Sequence, residues 1–435
     1  MKITFLGAGS SVFVRNVLGD CILTPEINDA TFALYDIDQS RVEESYRMMV
    51  NINANSNNSR AVFKKYVGLD ELPEALKDAD FVINAIQVGG YDPCTIWDFE
   101  IPKKYGLRQT IGDTMGVAGV FRALRTIPVM EIFAEQMNRC CPNAQLLNYT
   151  NPMGILTGYM LRHTDVKTVG LCHSVQKCTR ELLTGLGLKD DTDIQSKIAG
   201  INHMAWLLEI SKNGKDLYPD LKKLYREKGC VDTDKVRFEI MDKFGYYVTE
   251  SSEHNAEYMP YFIKAAYPEL IDYYNVPLDE YPRRCVRNIK RWEDIKAELT
   301  ENSRLTHEKS IEYAAYIIQS FATNQPYKFG GNVINNGMIS NLPMEACVEI
   351  PCISDSTGIT PTYIGALPEQ CAALNRTNLN VQLLTIEAAR TRSKEAVYHA
   401  AMLDPHTAAE LPLDKIIKLC DELFDAHKDW MPVYH

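Results

Sequence analysis

Two places in this chain hold side chains able to do chemistry, and each is built from more than one segment. Cys172-His173 stands at the end of the apolar run Thr168–Leu171, and a second imidazole follows in Ala199-Gly200-Ile201-Asn202-His203-Met204. A cysteine thiolate and a histidine imidazole, here Cys172 and His203, are ligands for a divalent ion. Two ligands are too few for a closed structural zinc site, so an ion held there keeps open positions for a substrate. The alternative is a buried cysteine beside core histidines. The other place is amino-terminal, where Gly7-Ala8-Gly9-Ser10-Ser11-Val12 follows the first apolar run and opens a helical pattern. Glycines there let backbone N–H groups approach a pyrophosphate at a helix N-terminus. Val12 occupies the position of the third glycine of the usual fingerprint. The next strand pattern ends Leu34-Tyr35-Asp36, and the Asp36 carboxylate falls where a ribose hydroxyl pair would lie, favouring NAD over NADP. Gln87, in Gln87-Val88-Gly89-Gly90, marks a further approach to the cofactor. The alternative is an ordinary glycine turn with no nucleotide.

Groups so far apart in sequence need a sheet to bring their loops to one edge. Apolar runs at Lys2–Leu6, Thr31–Tyr35, Phe81–Ala85, Gln145–Leu147 and Thr168–Leu171 alternate with helical spacing, as in Arg41–Ile52 and Val117–Arg139. That alternation predicts βαβ units around a parallel sheet, an α/β fold with a Rossmann-type first domain. Beyond about Gly200 the alternation stops and Tyr and Pro become frequent, which predicts a second, mixed α+β domain. The expected division is residues 1–200 for dinucleotide binding and 201–435 for substrate and assembly. The 250–285 stretch suits a cleft wall. The chain then reads helical from Asn302 through Phe321 and ends in two amphipathic helices.

The bulk numbers exclude other classes. With 435 residues, a formal charge of -11 and 46% hydrophobic content, the chain supports a large core and offers no basic stripe for nucleic acid. The basic stretch from Tyr281 to Arg291 reads as a solvated helix face. No apolar run approaches the roughly 18 residues of a membrane span. The 12 irregularly spaced cysteines, with a first strand in place of a signal peptide, predict reduced thiols and a cytoplasmic location.

The chain resembles glycoside hydrolase family 4. The segments that carry the likeness are Phe5–Ser10, Gly89-Gly90-Tyr91-Asp92-Pro93-Cys94, Asn148-Tyr149-Thr150-Asn151-Pro152-Met153, Gly170–Gln176, Gly200–Met204, Thr249-Glu250-Ser251-Ser252-Glu253-His254 and Asp404-Pro405-His406-Thr407-Ala408-Ala409. They span nearly the whole chain. The resemblance implies a lactate/malate dehydrogenase-like fold, NAD and Mn²⁺ as cofactors, and a homodimer or homotetramer. It also implies a redox route to glycoside hydrolysis, an exception to the two-carboxylate scheme. In that route NAD⁺ takes a hydride from C3 of the sugar, a base removes the acidified C2 proton, the aglycone leaves from C1, water adds, and the hydride returns.

By the same resemblance, Cys172 and His203 match metal-ligand positions and His173 matches the acid that protonates the leaving group. A contact to a substrate hydroxyl is the competing role for His173. Asn151 matches a sugar-binding residue, with a turn before Pro152 as its alternative reading. Asp113, in Ile111-Gly112-Asp113-Thr114, resembles a segment at the cofactor–sugar junction, with a helix N-cap as the alternative. The C2 base falls within Thr249–Tyr258, where His254 is favoured, Tyr258 is next and Glu253 is available as partner. Relatives that act on phosphorylated sugars carry an Arg after the strand matching Val82–Ala85. Here Gln87–Asp92 offers no cation, which predicts an unphosphorylated hexoside, an α-galactoside first, with α-glucoside or α-galacturonide as near alternatives. A 2-hydroxy-acid dehydrogenase would need an Arg clamp and a His–Asp pair, neither evident in the sequence. A non-catalytic NAD sensor would not need the polar crowding at 148–151, 172–176 and 202–203.

Overall fold

The computed structural model describes residues 1–189 and 193–435. Six parallel strands form its first half: β1 (Lys2–Leu6), β2 (Thr31–Asp36), β3 (Val62–Val67), β4 (Phe81–Asn84), β5 (Gln145–Asn148) and β6 (Lys167–Gly170), in the order β3-β2-β1-β4-β5-β6. Between them run α1 (Ser11–Ile22), α2 (Gln39–Asn57), α3 (Gly116–Cys140) and α4 (Met153–His163). The five central strands are almost wholly buried, as a sheet covered by helices on both faces requires. β3 escapes a reading by apolar runs because Lys64 and Lys65 interrupt it. It is an edge strand, where exposed lysines are tolerated and discourage pairing with another chain.

The second half extends the same sheet. After α5 (His173–Gly185) come β7 (Ile194–Ile201), β8 (Met204–Lys212), β9 (Lys215–Asp216) and β10 (Tyr247–Val248). Then follow α6 (Ser252–Glu257), α7 (Glu280–Glu301), β11 (Tyr327–Ile334), β12 (Cys347–Asp355), β13 (Gly358–Pro361) and α8 (Glu369–Thr391). β11 pairs antiparallel with β6 through Asn332 and Gly170, and the order continues β12-β7-β8-β10, all antiparallel. Crossover connections stop where the helical alternation stops in the sequence.

The helical pattern after Asn302 is only partly realised, since a helix forms at Ala314–Thr323 alone. Residues 302–313 form an irregular strap instead. Asp20 on α1 accepts hydrogen bonds from the Ser310 hydroxyl (2.6 Å) and backbone N–H (2.9 Å) and faces His307 Nε2 at 2.7 Å. These side-chain bonds compete with helical backbone pairing. The carboxyl end holds three helices, Lys394–Leu403, Pro405–Glu410 and Leu413–His427, where the sequence pattern suggests two.

Within the core, Arg125 on α3 makes a two-point pair with Asp98 (2.6 and 3.1 Å), and His427 Nε2 lies 3.0 Å from the same carboxylate. All three side chains are at most 3% exposed. Arg125→Met is expected to leave Asp98 as an ill-compensated buried charge and cost about 3–5 kcal/mol in urea unfolding. A loss below about 1 kcal/mol, the scale of a surface pair, would show that His427 alone neutralises the site.

Candidate active site

The carboxyl end of β6 carries the chain into Leu171-Cys172, and α5 begins at once with Cys172 as its N-cap. The tight connection from β7 to β8 presents His203 with φ 62°. β10, paired with β8, ends just before Glu250, whose φ is 65°. Neither His203 nor Glu250 is a glycine or the end of a surface turn. Left-handed backbone there costs on the order of 1–2 kcal/mol each, and it aims both side chains at Cys172. One donor atom from each of Cys172, His203 and Glu250 lies within 4.8 Å of the others. His203 Nε2 is 3.6 Å from Glu250 Oε2.

Sulfur, nitrogen and carboxylate donors at this spacing fit a divalent ion, and the local electrostatics ask for one. Burial first, then Glu349 and Glu250, push the Cys172 thiol well above its ordinary range, so a thiolate needs a cation beside it. Glu349 on β12 is fully buried, and burial pushes its carboxyl up to about 7. It accepts from Asn332 Nδ2 at 2.9 Å, so it forms a polar floor beneath the cluster. Tyr258 Oη lies 3.1 Å from His203 Nδ1. The tautomer in which Nδ1–H donates to that phenol leaves the Nε2 lone pair facing Glu250. Tyr258, the second candidate for the base, thus stands against His203. Its side chain is 1% exposed, stands behind His203 and is absent from the cavity lining.

Facing the cluster is a cavity of about 470 Å³, lined by Gln87, Asp113, Asn151, Cys172, His173, His203, Glu250 and His254 among others. His254 sits on α6, capped by Ser251. The Ser251 hydroxyl points to Glu253 Oε2 (3.3 Å) and accepts the His254 backbone N–H (3.4 Å), while His254 Nδ1 lies 2.8 Å away. His254 Nε2 lies 3.7 Å from Asp113 Oδ1, and its Nδ1 is also 3.6 Å from Glu250 Oε1. Burial alone would raise the Asp113 carboxyl, but His254 and Arg122 beside it bring it below the usual carboxylate range. Asp113 is thus an anion placed to receive an imidazolium. Asn151 Nδ2 reaches its other oxygen at 3.3 Å, and the buried Asn151 Oδ1 has no partner. Arg122 Nε donates to the Asn151 carbonyl (3.2 Å) and Nη1 to Tyr281 Oη (3.2 Å).

His173 meets a partner the sequence did not suggest. Its Nε2 lies 2.7 Å from Glu312, which is 5% exposed, at the end of the strap, while the next residue, Tyr313, donates to the Cys172 carbonyl at 3.0 Å. Glu250, Glu312, Glu349 and Arg122 all escape a reading by motif. Only Glu250 left a signal, a carboxylate four residues before His254 within a segment already singled out. The His–Asp pair and the arginine not evident in the sequence are present as His254–Asp113 and Arg122.

The dinucleotide cradle lies along the same edge. Gly7 has φ 88°, and a Cβ there would fall 2.7 Å from the Ala85 carbonyl oxygen. The Gly9 N–H donates to Asp36 Oδ2 at 2.7 Å, and a Cβ on Gly9 would lie 2.8 Å from that oxygen. Ser10, the N-cap of α1, makes no side-chain cap bond, so the helix N-terminus is open to an anion. Gln87 is turned into the cavity. The loops of β1, β2 and β4 therefore fit a dinucleotide whose reactive end enters the cavity that holds the three metal donors.

Residues 2–188 match the family described as Family 4 glycosyl hydrolase, and residues 198–407 match the Family 4 glycosyl hydrolase C-terminal domain. The alpha-galactosidase of Bacillus subtilis (strain 168) is 60% identical over 434 residues, covering 100% of this chain and 99% of that protein. The alpha-galacturonidase of Thermoanaerobacter italicus is 28% identical, covering 99% and 97%. Among solved structures, a 6-phospho-alpha-glucosidase from gut microorganisms, in complex with NAD and Mn²⁺, superposes with a TM-score of 0.81 at 21% identity, covering 100% and 99%. Among the described residues no helix is long and apolar enough to cross a membrane.

Proposed function

The chain belongs to family 4 of the glycosyl hydrolases, and from that premise we propose that it hydrolyses terminal α-galactosides by NAD- and Mn²⁺-dependent redox chemistry. The observation that carries the reading is a single cavity in which a thiol–imidazole–carboxylate set lies directly beside a His–Asp pair, with His254 Nδ1 3.6 Å from Glu250 Oε1. The 60% identity to an alpha-galactosidase supports the sugar. NAD, when bound, supplies a reversible hydride acceptor for C3 of the sugar, and the divalent ion supplies positive charge beside the C2 and C3 oxygens.

Everything else falls to the chain's own groups. Cys172, His203 and Glu250 hold the ion, with Tyr258 fixing the His203 ring. His254 takes the C2 proton on Nε2, and Asp113 stabilises the imidazolium that results. Asn151, steadied by Arg122 and Asp113, offers its unpartnered Oδ1 to a sugar hydroxyl. His173, oriented by Glu312, faces the leaving group and protonates the departing oxygen.

The lining cations bear on the sugar. Arg237 is committed to Asp234 and Glu181, Arg284 to Glu253, and Arg122 to Tyr281. Among the described residues Lys177 and Arg122 are the lining cations without a carboxylate ion pair, and Arg122 is held by the Tyr281 hydroxyl and the Asn151 carbonyl. A neutral hexoside suits that balance better than a 6-phosphate. Lys177 and Arg122 give the α-galacturonide reading a foothold.

The test is hydrolysis of para-nitrophenyl α-galactoside with and without NAD⁺, Mn²⁺ and reductant, beside the α-glucoside and α-galacturonide. Activity that requires all three additions, highest on the galactoside, is the expected result. Full activity after removal of both NAD and metal would end the redox proposal, and preference for the galacturonide would move the substrate to the second reading.

A further inference from the structure

One face of α7 borders two separate cavities. Tyr281 and Arg284, in its first turns, line the cavity of the candidate active site. Asn288, Arg291 and Trp292, further along the same helix, line a second cavity of about 280 Å³ whose opposite wall is Gly9, Ser10 and Arg41. Positions 281, 284, 288, 291 and 292 recur at helical spacing, so they form one stripe. The remaining surface of the helix is solvated, and within it only Leu299 and Thr300 are buried. The helix is held over the first half by Glu44 on α2, which accepts from Trp292 Nε1 at 3.2 Å and pairs with Lys296.

The second cavity has the electrostatics of an anion site. Arg41 overlies Gly9, with its Cδ 3.1 Å from the position a Cβ there would occupy. Arg291 faces the cavity from the other wall, and among the described residues neither guanidinium makes an ion pair. Two unpaired guanidinium groups around one small volume repel each other until an anion sits between them, and a planar guanidinium suits phosphate oxygens. Solvated helix faces usually spend such charges on partners of the same helix, as Arg284 does with Glu280 at i,i+4 and Arg287 with Glu280 two turns away. Arg291 does not.

We propose that α7 is the outer wall of the cofactor site and that Arg291, with Asn288 beside it, contacts the pyrophosphate of the dinucleotide. The inference rests on the NAD-dependent reading above. It assigns part of the dinucleotide site to the second half of the chain, on the helix that also walls the sugar site.

The test is equilibrium binding of NAD⁺, ADP and adenosine to the full-length protein, by calorimetry, for wild type, Arg291→Ala, Arg291→Lys and Lys290→Ala. Lys290 carries the same charge on the same exposed helix but lies outside the cavity lining. Arg291→Ala is expected to weaken NAD⁺ and ADP by about tenfold, as for a charge-assisted contact, and to leave adenosine unchanged. Arg291→Lys should recover part of the loss, and Lys290→Ala should bind as wild type. Equal NAD⁺ affinity in wild type and Arg291→Ala would overturn the assignment, as would equal losses in Arg291→Ala and Lys290→Ala. Failure of the wild type to bind NAD⁺ would instead overturn the cofactor reading itself, and this inference with it.

Discussion

Cys172→Ser is expected to lower hydrolysis of para-nitrophenyl α-galactoside by on the order of a thousandfold, because a metal ion's charge stabilisation is worth several kcal/mol. NAD⁺ affinity should stay within about twofold of wild type, well under a tenfold step. The glycine loop does not line the cavity that holds Cys172, so the cradle loses nothing. The metal set loses a third of its donors, and the serine hydroxyl does not ionise at working pH to replace a thiolate. The burial that raises the Cys172 thiol, reinforced by Glu349 and Glu250, makes the wild-type site dependent on the ion and binding of the ion a proton-releasing event. Mn²⁺ titration followed by electron paramagnetic resonance separates the cases. Unchanged Mn²⁺ affinity in the serine variant would remove Cys172 from the ligand set.

His254→Asn is expected to reduce turnover by about 10²–10⁴-fold, the range of a positioned general base. Asparagine keeps a polar group near Ser251 and Asp113 but cannot accept a proton at neutral pH. Loss of rate alone would not separate a base from a sugar contact, so isotope incorporation is the deciding measurement. In D₂O the wild-type product should carry deuterium at C2. The variant's residual product should carry it more slowly by the same factor as the rate. Turnover that falls while deuterium exchange at C2 stays fast would assign the proton transfer to another group and leave His254 as a contact.

The sequence was legible where periodicity and local motif coincide. The runs at Lys2–Leu6 and Thr31–Tyr35 and the helix expected at Val117–Arg139 match β1, β2 and α3 to within a residue at either end. The Gly7–Gly9 turn, Asp36 and Cys172 sit at the ends of parallel strands, where such a sheet delivers its ligands, and His203 sits in the antiparallel β7–β8 connection; each is named by local pattern. What stayed hidden depends on distance along the chain. Glu312 reaches His173 from 139 residues away, at the end of a strap fixed by Asp20 rather than by helical spacing. Glu349 enters beneath Cys172 and His203 only because β12 lies beside β7 in the sheet. Tyr258 stood next after His254 among the candidate bases, yet α6 places His254 in the cavity lining and Tyr258, just past its end, behind His203. A one-dimensional reading could not separate them.

The left-handed backbone at His203 and Glu250 has a consequence for evolution in the laboratory. Glycine or asparagine relaxes such a position, and stabilising changes are easiest to find where function holds a local structure away from its own optimum. A library of variants sorted only for heat resistance should therefore accept substitutions at 250 readily. Glu250 is the more permissive of the pair, because its side chain is 24% exposed against 4% for His203. The survivors would be sturdier proteins that had surrendered a proposed metal ligand. Sorting for turnover would reject the same substitutions, so thermostability and catalysis should draw this one position toward opposite residues.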